Sequence, residues 1–140
     1  MSNEPKLQNT PSAIDIEQAA IAAALDKKAK EVVSLDLRNI QDAVADYFII
    51  CHGDSPTQVN AIAENVKVEL KKHLGEAPVY SEGMQQAEWV LLDYIDVVLH
   101  VFQREKRLFY QLEELWSDGV ETRYNEMGEP LTDAQKAQNT

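Results

Sequence analysis

The longest apolar stretch of the chain runs from Glu88 to Phe102 and is interrupted by the four residues 93–96, Asp-Tyr-Ile-Asp. Short runs of β-branched, aromatic and leucine residues lie on either side, at 89–92 and 97–102. Such runs around a polar interruption are typical of two β-strands joined by a turn. A membrane span would need about 20 nearly uninterrupted apolar residues, so this stretch is not predicted to cross a membrane. The pattern predicts a hairpin in the middle of a sheet.

The two faces of this hairpin differ, because side chains alternate along a strand. On the second strand one face is wholly apolar, whereas the other places His100 between Val98 and Phe102. In one interpretation Trp89 and Phe102 are core aromatics and His100 is a hydrogen-bonded interior residue, which composition favours. In the other, the sheet offers Trp89, His100 and Phe102 to a partner. The pattern alone does not choose between them.

Two helices and two strands are predicted before residue 75. A capped helix begins after Ser12 and reaches about residue 30. Residues 32–37 alternate between apolar and polar, which predicts a strand with one buried face at the edge of the sheet. Residues 46–52 are apolar on both sides and predict a central strand. A second helix begins after Ser55, with Gln58 completing its capping box, and ends before Gly75.

Residues 78–81 predict a short third strand, and residues 105–116 predict the last helix. That helix carries one apolar stripe expected to pack on the sheet, with Tyr110 off it; the stripe contains Leu108, Phe109, Leu112, Leu115 and Trp116. Residues 1–12 are predicted to be a disordered lead and residues 118–140 a flexible acidic tail. The element order predicts an α/β domain over 13–117, with a mixed sheet of about five strands flanked by helices.

Charge and cysteine content limit the classes of partner and the cellular location expected for this chain. The chain has 13 basic and 24 acidic residues and a net charge of −11. Residues 13–117 contain 10 of the basic and 18 of the acidic residues, which gives the predicted domain a net charge of −8. Unaided nucleic-acid binding is therefore disfavoured, and a basic protein partner is favoured, although acidity can also serve solubility alone. The single cysteine, Cys51, and the polar first residues predict a cytoplasmic protein without disulfides or a secretory signal.

No enzymatic motif is convincing. Residues 52–55, His-Gly-Asp-Ser, lie between a strand and a helix as a phosphate loop does, but hold one glycine. In nucleotidyltransferases two carboxylates on the strand after the loop hold magnesium, and the corresponding strand here, residues 78–81, has no carboxylate. Asp93 and Asp96 lie on either side of a turn and are more simply interpreted as turn residues. Cys51 and His52 are adjacent and point to opposite faces, so they form no catalytic pair. We predict a binding or regulatory protein without metal or cofactor.

Several ordered motifs together resemble the ribosomal silencing factor family, also called the Iojap family. They are residues 46–55 (Asp-Tyr-Phe-Ile-Ile-Cys-His-Gly-Asp-Ser), residues 58–63 (Gln-Val-Asn-Ala-Ile-Ala), and the stretch from Glu88-Trp89 through Val101-Phe102 to residues 112–116 (Leu-Glu-Glu-Leu-Trp). The resemblance covers about Ile14 to Ser117. It implies a nucleotidyltransferase-like α/β fold without catalytic residues, usually dimeric when free.

The resemblance also implies a non-enzymatic role. The protein would bind large-subunit ribosomal protein fourteen on the joining face, so that the small subunit cannot dock and translation falls. We expect the contact face to include Trp89, His100 and Phe102, with a rim formed by Asp93, Asp96 and Tyr110. The runner-up functions are a nucleotidyltransferase-type enzyme using Asp93 or Asp96, and an assembly factor for the large subunit that uses the same face.

One residue departs from the family pattern. Where the family usually has glycine, this chain has Ile95 in the turn 93–96. Isoleucine tolerates positive φ poorly, so the turn must take another geometry or carry strain.

Overall fold

A computed structural model describes residues 10–132 and residue 135. The predicted lead, residues 1–12, and the end of the predicted tail lie largely outside the described residues. The elements, in chain order, are α1 (Ala13–Asp26), β1 (Lys30–Asp36), β2 (Tyr47–Gly53), α2 (Pro56–Leu74), β3 (Tyr80–Glu82), β4 (Trp89–Asp93), β5 (Val97–Gln103), α3 (Arg104–Tyr110), α4 (Leu112–Leu115) and β6 (Val120–Arg123). Within the described part of the chain, no helix is long and apolar enough to span a membrane.

The predicted start signals of both long helices are present. Ser12 and Asp15 form a capping box at the start of α1, with each side chain bonded to the other residue's backbone N–H. Ser55 caps α2 and accepts a hydrogen bond from the Gln58 N–H. The predicted capping box of α2 is wrong, because the Gln58 amide accepts from the Asp54 N–H and donates to the carbonyl oxygen of Lys28. Gln58 thereby ties the start of α2 to the end of α1.

The sheet has the strand order β3-β4-β5-β2-β1-β6. Neighbouring strands are antiparallel except β2 and β5, which are parallel. The predicted hairpin is confirmed: β4 pairs with β5, with Trp89 opposite Phe102 and Asp93 opposite Val98. The central strand is also confirmed, since every residue of β2 is buried.

Each face of the sheet carries its own core. On one face, α1 and α2 cover the wholly apolar side of the hairpin, and Ile49 and Cys51 of β2 join them. On the other face, Phe48, Ile50 and Phe102 pack with Leu112 of α4. His100 belongs to this second face, which short helices and loops cover instead of long helices. The fold is therefore a mixed α/β structure, as predicted.

A sixth strand corrects two expectations about the sheet. β6 pairs antiparallel with β1, from Val33 opposite Arg123 to Asp36 opposite Val120. β1 is therefore not an edge strand, and the sheet has six strands among the described residues where about five were predicted. β6 lies inside the segment predicted as a flexible tail. β6 supplies hydrogen-bond partners to the backbone N–H and C=O groups along the outer edge of β1. A short polar sequence does not predict such a tertiary contact.

The last helix also differs from its prediction. The predicted helix 105–116 is broken at Gln111, which has a left-handed φ of 49° and separates α3 from α4. Of the predicted stripe, Leu112 and Trp116 pack on the core that contains Phe48. Leu108, Phe109 and Leu115 are exposed, and Arg107 is buried instead. A charged residue thus takes the inward position that the pattern assigned to the stripe.

In the β4–β5 turn, Ile95 has a positive φ although it stands where the family usually has glycine. Ile95 has a φ of 76° and is 62% exposed. The Asp96 N–H donates to the Tyr94 carbonyl oxygen at 3.0 Å, and the Asp93 carboxylate accepts from the Ile95 N–H at 2.8 Å. This is a γ-turn with a β-branched residue at its strained centre.

Ile95→Gly is therefore expected to raise the free energy of unfolding by about 1 kcal/mol, or about 3 °C in Tm, because released strain of about 1–3 kcal/mol exceeds the entropy cost of glycine. Thermal unfolding followed by circular dichroism measures the change. Val44→Gly is the matched control, since Val44 is also exposed and lies outside the positive-φ positions. The control should lower Tm, and a fall in both variants would contradict strain at Ile95.

Candidate partner-binding surface

Three neighbouring aromatic side chains at the end of the β4–β5 hairpin form an aromatic surface, which we define as Trp89, Phe109 and Tyr110. The Trp89 and Tyr110 rings are 4.8 Å apart between centroids, and the Tyr110 and Phe109 rings are 5.1 Å apart. Phe109 is 77% exposed, Tyr110 48%, and Trp89 is half-buried. Leu108, on α3, and Leu115, on α4, are also exposed. Exposed apolar residues grouped in this way are typical of a protein-binding site.

Trp89 is held in place from beneath and behind. Its ring stacks on Phe102 with centroids 4.8 Å apart, and its indole Nε1–H donates to His100 Nδ1 at 3.1 Å. Behind it, Gly83 has a φ of 91°, and a Cβ there would lie 2.0 Å from the Trp89 carbonyl oxygen. Only glycine allows this approach of the β3–β4 turn. Trp89 is therefore presented in a fixed orientation.

His100 is an interior residue of the second core. It lies against Phe48 at 4.7 Å between ring centroids, and it accepts the Trp89 indole proton at Nδ1. Burial lowers the pKa of His100 to about 3, so the imidazole is neutral and carries its proton on Nε2. Among the described residues nothing accepts a hydrogen bond from that buried Nε2–H. The interpretation of His100 as a hydrogen-bonded interior histidine is confirmed.

The structure brings four of the six predicted contact residues together. Trp89 and Tyr110 reach the surface, whereas His100 is 4% exposed and Phe102 is fully buried. His100 and Phe102 therefore support the aromatic surface, and the expectation that they touch a partner directly stays a prediction.

Asp93 and Asp96 lie apart from the other four. Four residues along a strand separate Asp93 from Trp89, about 13 Å at 3.3 Å per residue. The Asp93 carboxylate caps the turn, and the Asp96 carbonyl oxygen accepts hydrogen bonds from the N–H groups of Asp46 and Tyr47. Their interpretation as turn residues is confirmed, and the expectation that they form a rim of the contact face stays a prediction.

Sequence reasoning missed the exposure of Phe109, which it placed on a buried stripe. The available signal was Arg107, a charged residue within the run Arg-Leu-Phe-Tyr. Arg107 Nε and Nη2 donate to one Glu113 carboxylate oxygen at 3.0 and 2.8 Å, and Nη1 donates to the Glu31 carbonyl oxygen at 2.8 Å. These bonds hold Arg107 inward, so the neighbouring Leu108 and Phe109 face outward.

The described side chains offer little support for a metal site or for a catalytic nucleophile. Over residues 10–132 and residue 135, no three histidine, cysteine, aspartate or glutamate side chains converge on a common point. Burial raises the pKa of the Cys51 thiol to about 12, so it stays protonated as a core residue. His52, on the opposite face of β2, is bonded to Arg107 at 3.0 Å. The prediction that Cys51 and His52 form no pair is confirmed.

Comparison with known proteins assigns the family. The family model described as "Ribosomal silencing factor during starvation" matches residues 10–140. The chain is 46% identical over 103 residues to a ribosomal silencing factor of Bacillus subtilis, covering 74% of this chain and 86% of the relative. It is also 43% identical over 118 residues to one of Halalkalibacterium halodurans, covering 84% and 91%.

A solved structure has the same fold. A crystal structure of a protein from Chromobacterium violaceum superimposes with a TM-score of 0.73 at 38% sequence identity, covering 76% of this chain and 88% of that one. The chloroplastic Iojap protein of Zea mays is 32% identical over 110 residues, covering 76% of this chain and 47% of the relative. The chain therefore belongs to the ribosomal silencing factor family, as the motifs on β2, α2 and the β4–β5 hairpin indicated.

Proposed function

We propose that this protein represses translation by binding the large ribosomal subunit through its basic protein fourteen and blocking the small subunit. The observation that carries the proposal is the aromatic surface, in a chain that belongs to the ribosomal silencing factor family. Phe109 and Tyr110 offer apolar contact area, and Trp89 is preorganised between them and the core. Aromatic residues of this kind supply much of the energy of protein interfaces.

Charge supports a protein partner over exposed RNA. The chain carries a net charge of −11, so ribosomal RNA repels it, whereas a basic ribosomal protein attracts it. Long-range attraction would raise the association rate, and the aromatic contacts would hold the complex. We further propose a cytoplasmic location, which the single cysteine and the polar first residues favour.

Steric occlusion is the mechanism, and it needs no cofactor or bond-making step. An interface of standard size, about 1,600 Å² in total, suffices to keep a bulky domain on the joining face. Inhibition should then follow the fraction of large subunits occupied. We further propose that the free protein is a homodimer, because exposed Phe109 and Leu115 are side chains that a second copy would cover.

The test is a subunit-joining assay. Purified large subunits are incubated with the protein, small subunits are added, and light scattering follows formation of the complete ribosome. We expect joining to fall in proportion to occupancy. Undiminished joining at saturating protein would contradict silencing.

Trp89→Ala is expected to weaken binding by about 2 kcal/mol, or about thirtyfold, because it removes the preorganised aromatic between Tyr110 and Phe102. Joining should recover in the same proportion. Circular dichroism on the same sample checks folding, since Trp89 also covers Phe102. Tyr80→Ala is the matched control, because Tyr80 is an exposed aromatic on the edge strand β3. Unfolding of Trp89→Ala would make Trp89 a core residue instead of a contact residue.

A role in large-subunit assembly is a second candidate. A protein of Mus musculus named "Mitochondrial assembly of ribosomal large subunit protein 1" is 33% identical over 75 residues, covering 51% of this chain and 32% of the relative. The same surface would serve both roles, and timing separates them. Cosedimentation with precursor particles would favour assembly, and cosedimentation with mature subunits alone would favour silencing.

A nucleotidyltransferase-type activity is the remaining alternative. It would need Asp93 or Asp96 to hold magnesium, but the Asp93 carboxylate is already engaged by the Ile95 N–H. Calorimetric titration with a nucleoside triphosphate and magnesium would reveal such a site directly.

A further inference from the structure

The side chain of Arg107, on the inner side of α3, forms a cluster with His52 and Glu113. Arg107 is 6% exposed and His52 is 5% exposed. Arg107 Nη1 lies 3.0 Å from His52 Nδ1 and 2.8 Å from the Glu31 carbonyl oxygen, while Nη2 lies 2.8 Å from Glu113 Oε2. One guanidinium therefore joins α3 to the end of β2, to β1 and to α4.

The Arg107–His52 hydrogen bond has a direction that chemistry fixes. An arginine guanidinium has five N–H donors, no acceptor, and keeps its proton at all relevant pH. His52 Nδ1 must therefore accept, which requires a neutral imidazole with its proton on Nε2. A second proton on His52 would remove the acceptor and place two cations 3.0 Å apart.

We propose that Arg107, Glu113 and His52 are the positioning residues of α3, and that protonation of His52 releases this helix with Phe109 and Tyr110. α3 has only seven residues and no side-chain hydrogen bond at its N-cap, so its own hydrogen bonds hold it weakly. Leu108 and Phe109 are largely exposed and bury little apolar area, and Tyr110 is 48% exposed and contacts Trp89. The buried cluster is therefore the main polar attachment of the helix.

Burial and the neighbouring arginines favour the neutral form of His52. His52 and its neighbours line a cavity of about 290 Å³ at the ends of the parallel strands β2 and β5. Burial first, then Arg107, with a smaller effect of Arg104, lower the pKa of His52 below its ordinary 6.5, against the opposing effects of Glu31 and Asp54. Charged residues that also line this cavity are Glu113, Glu114 and Arg123. When α3 detaches, His52 regains solvent and its ordinary proton affinity.

Local opening of α3 should therefore become more frequent in acid. Protonation of the open form at a pKa of about 6.5 raises the opening constant by up to about tenfold between pH 7.5 and pH 5.5, since the pKa of the closed form is lower. Hydrogen exchange of the backbone amides of residues 108–111, corrected for intrinsic rates, measures this constant in the full chain. Burial keeps His100, with its pKa of about 3, neutral over the same interval, so it does not contribute.

His52→Asn is the decisive variant, because the asparagine side-chain oxygen can accept from Arg107 but does not titrate. We expect protection of residues 108–111 to fall by up to about tenfold in the wild type and to stay constant in His52→Asn. His73→Asn is the matched control, since His73 is an exposed imidazole on α2, and it should behave as the wild type. Constant protection in the wild type, or an equal fall in His52→Asn, would overturn the proposal.

A second measurement holds even if His52→Asn fails to fold. Nitrogen NMR of the wild-type imidazole should show His52 Nδ1 unprotonated and Nε2 protonated at pH 7.5, and a proton on Nδ1 would overturn the proposed cluster. The consequence for ribosome binding rests on the proposed function: only molecules with α3 closed bind, so affinity should fall between pH 7.5 and pH 5.5 as the closed fraction falls, except in His52→Asn. Failure of the wild type to bind at pH 7.5 would refute the proposed function, while exchange and NMR would still decide this inference.

Discussion

Phe109→Ser is expected to weaken binding to the large ribosomal subunit about a hundredfold, or about 2.7 kcal/mol, while leaving the domain folded. Phe109 is the most exposed aromatic of the aromatic surface, at 77%, and it contacts Tyr110 edge-on. Removing it takes away the largest apolar contact that a partner could bury and leaves a hydroxyl to desolvate. Sedimentation with purified large subunits, or surface plasmon resonance on immobilised subunits, measures the change.

Serine is preferred to aspartate as the replacement because the proposed partner is basic. A new carboxylate could gain attraction to that partner and mask the loss of the aromatic contact. Truncation to a small neutral polar residue isolates the contact itself.

The matched control for Phe109→Ser is Val68→Ser. Val68 is 55% exposed on α2, which covers the opposite face of the sheet. Both substitutions should change the free energy of unfolding by less than about 0.5 kcal/mol, since both side chains are largely in solvent. Equal affinities of the two variants for the large subunit would contradict the location of the binding surface, and unfolding of Phe109→Ser would show that Phe109 supports α3.

Strands with strong alternation could be predicted from the sequence. Val33, Leu35 and Leu37 lie together in the second core, as their spacing indicated, and the two apolar faces of residues 46–52 became the fully buried β2. The hairpin was also predictable, because a polar interruption separates two apolar runs, but its register was not, since the geometry of the turn at Ile95 was open and Asp93 pairs with Val98 as part of β4. Local pattern suffices where burial dictates residue type.

Tertiary contacts decided the elements that the sequence did not reveal. β6, with the sequence Val-Glu-Thr-Arg, has no apolar alternation and forms because β1 offers unpaired backbone groups. The helical break depends on Gln111 taking a left-handed φ and on Arg107 finding Glu113, His52 and the Glu31 carbonyl oxygen. None of these partners is adjacent in sequence, so periodicity alone favoured burial of the exposed Phe109.

The domain is expected to lose stability steeply in acid because of His100. Its pKa is lowered to about 3 by burial, whereas in the unfolded chain it has the ordinary value of 6.5. Above pH 6.5 both states are neutral at this residue and stability is complete. Below pH 6.5 the unfolded chain binds a proton that the folded chain does not, so stability falls until the pH reaches the folded pKa.

The expected size is about 1.4 kcal/mol per pH unit, or about 2–3 kcal/mol between pH 7 and pH 4.5 from His100 alone, against a typical total of 5–15 kcal/mol. His52, whose pKa is also lowered, adds a loss of the same sign. Urea unfolding followed by circular dichroism at several pH values measures the slope. Carboxylates contribute to that slope as well, so the wild type alone does not isolate the histidine.

His100→Asn isolates it, because the asparagine oxygen can still accept from the Trp89 indole N–H while the titrating group is gone. The variant should lose about 2–3 kcal/mol less than the wild type between pH 7 and pH 4.5, whatever its stability at pH 7. His73→Asn, at an exposed position, should keep the wild-type slope. Parallel curves for wild type and His100→Asn would mean that the buried imidazole carries a second proton, on Nδ1, which its hydrogen bond accepted there from Trp89 does not allow. The buried imidazole that makes the domain sensitive to acid is therefore the same group that holds Trp89 at the aromatic surface.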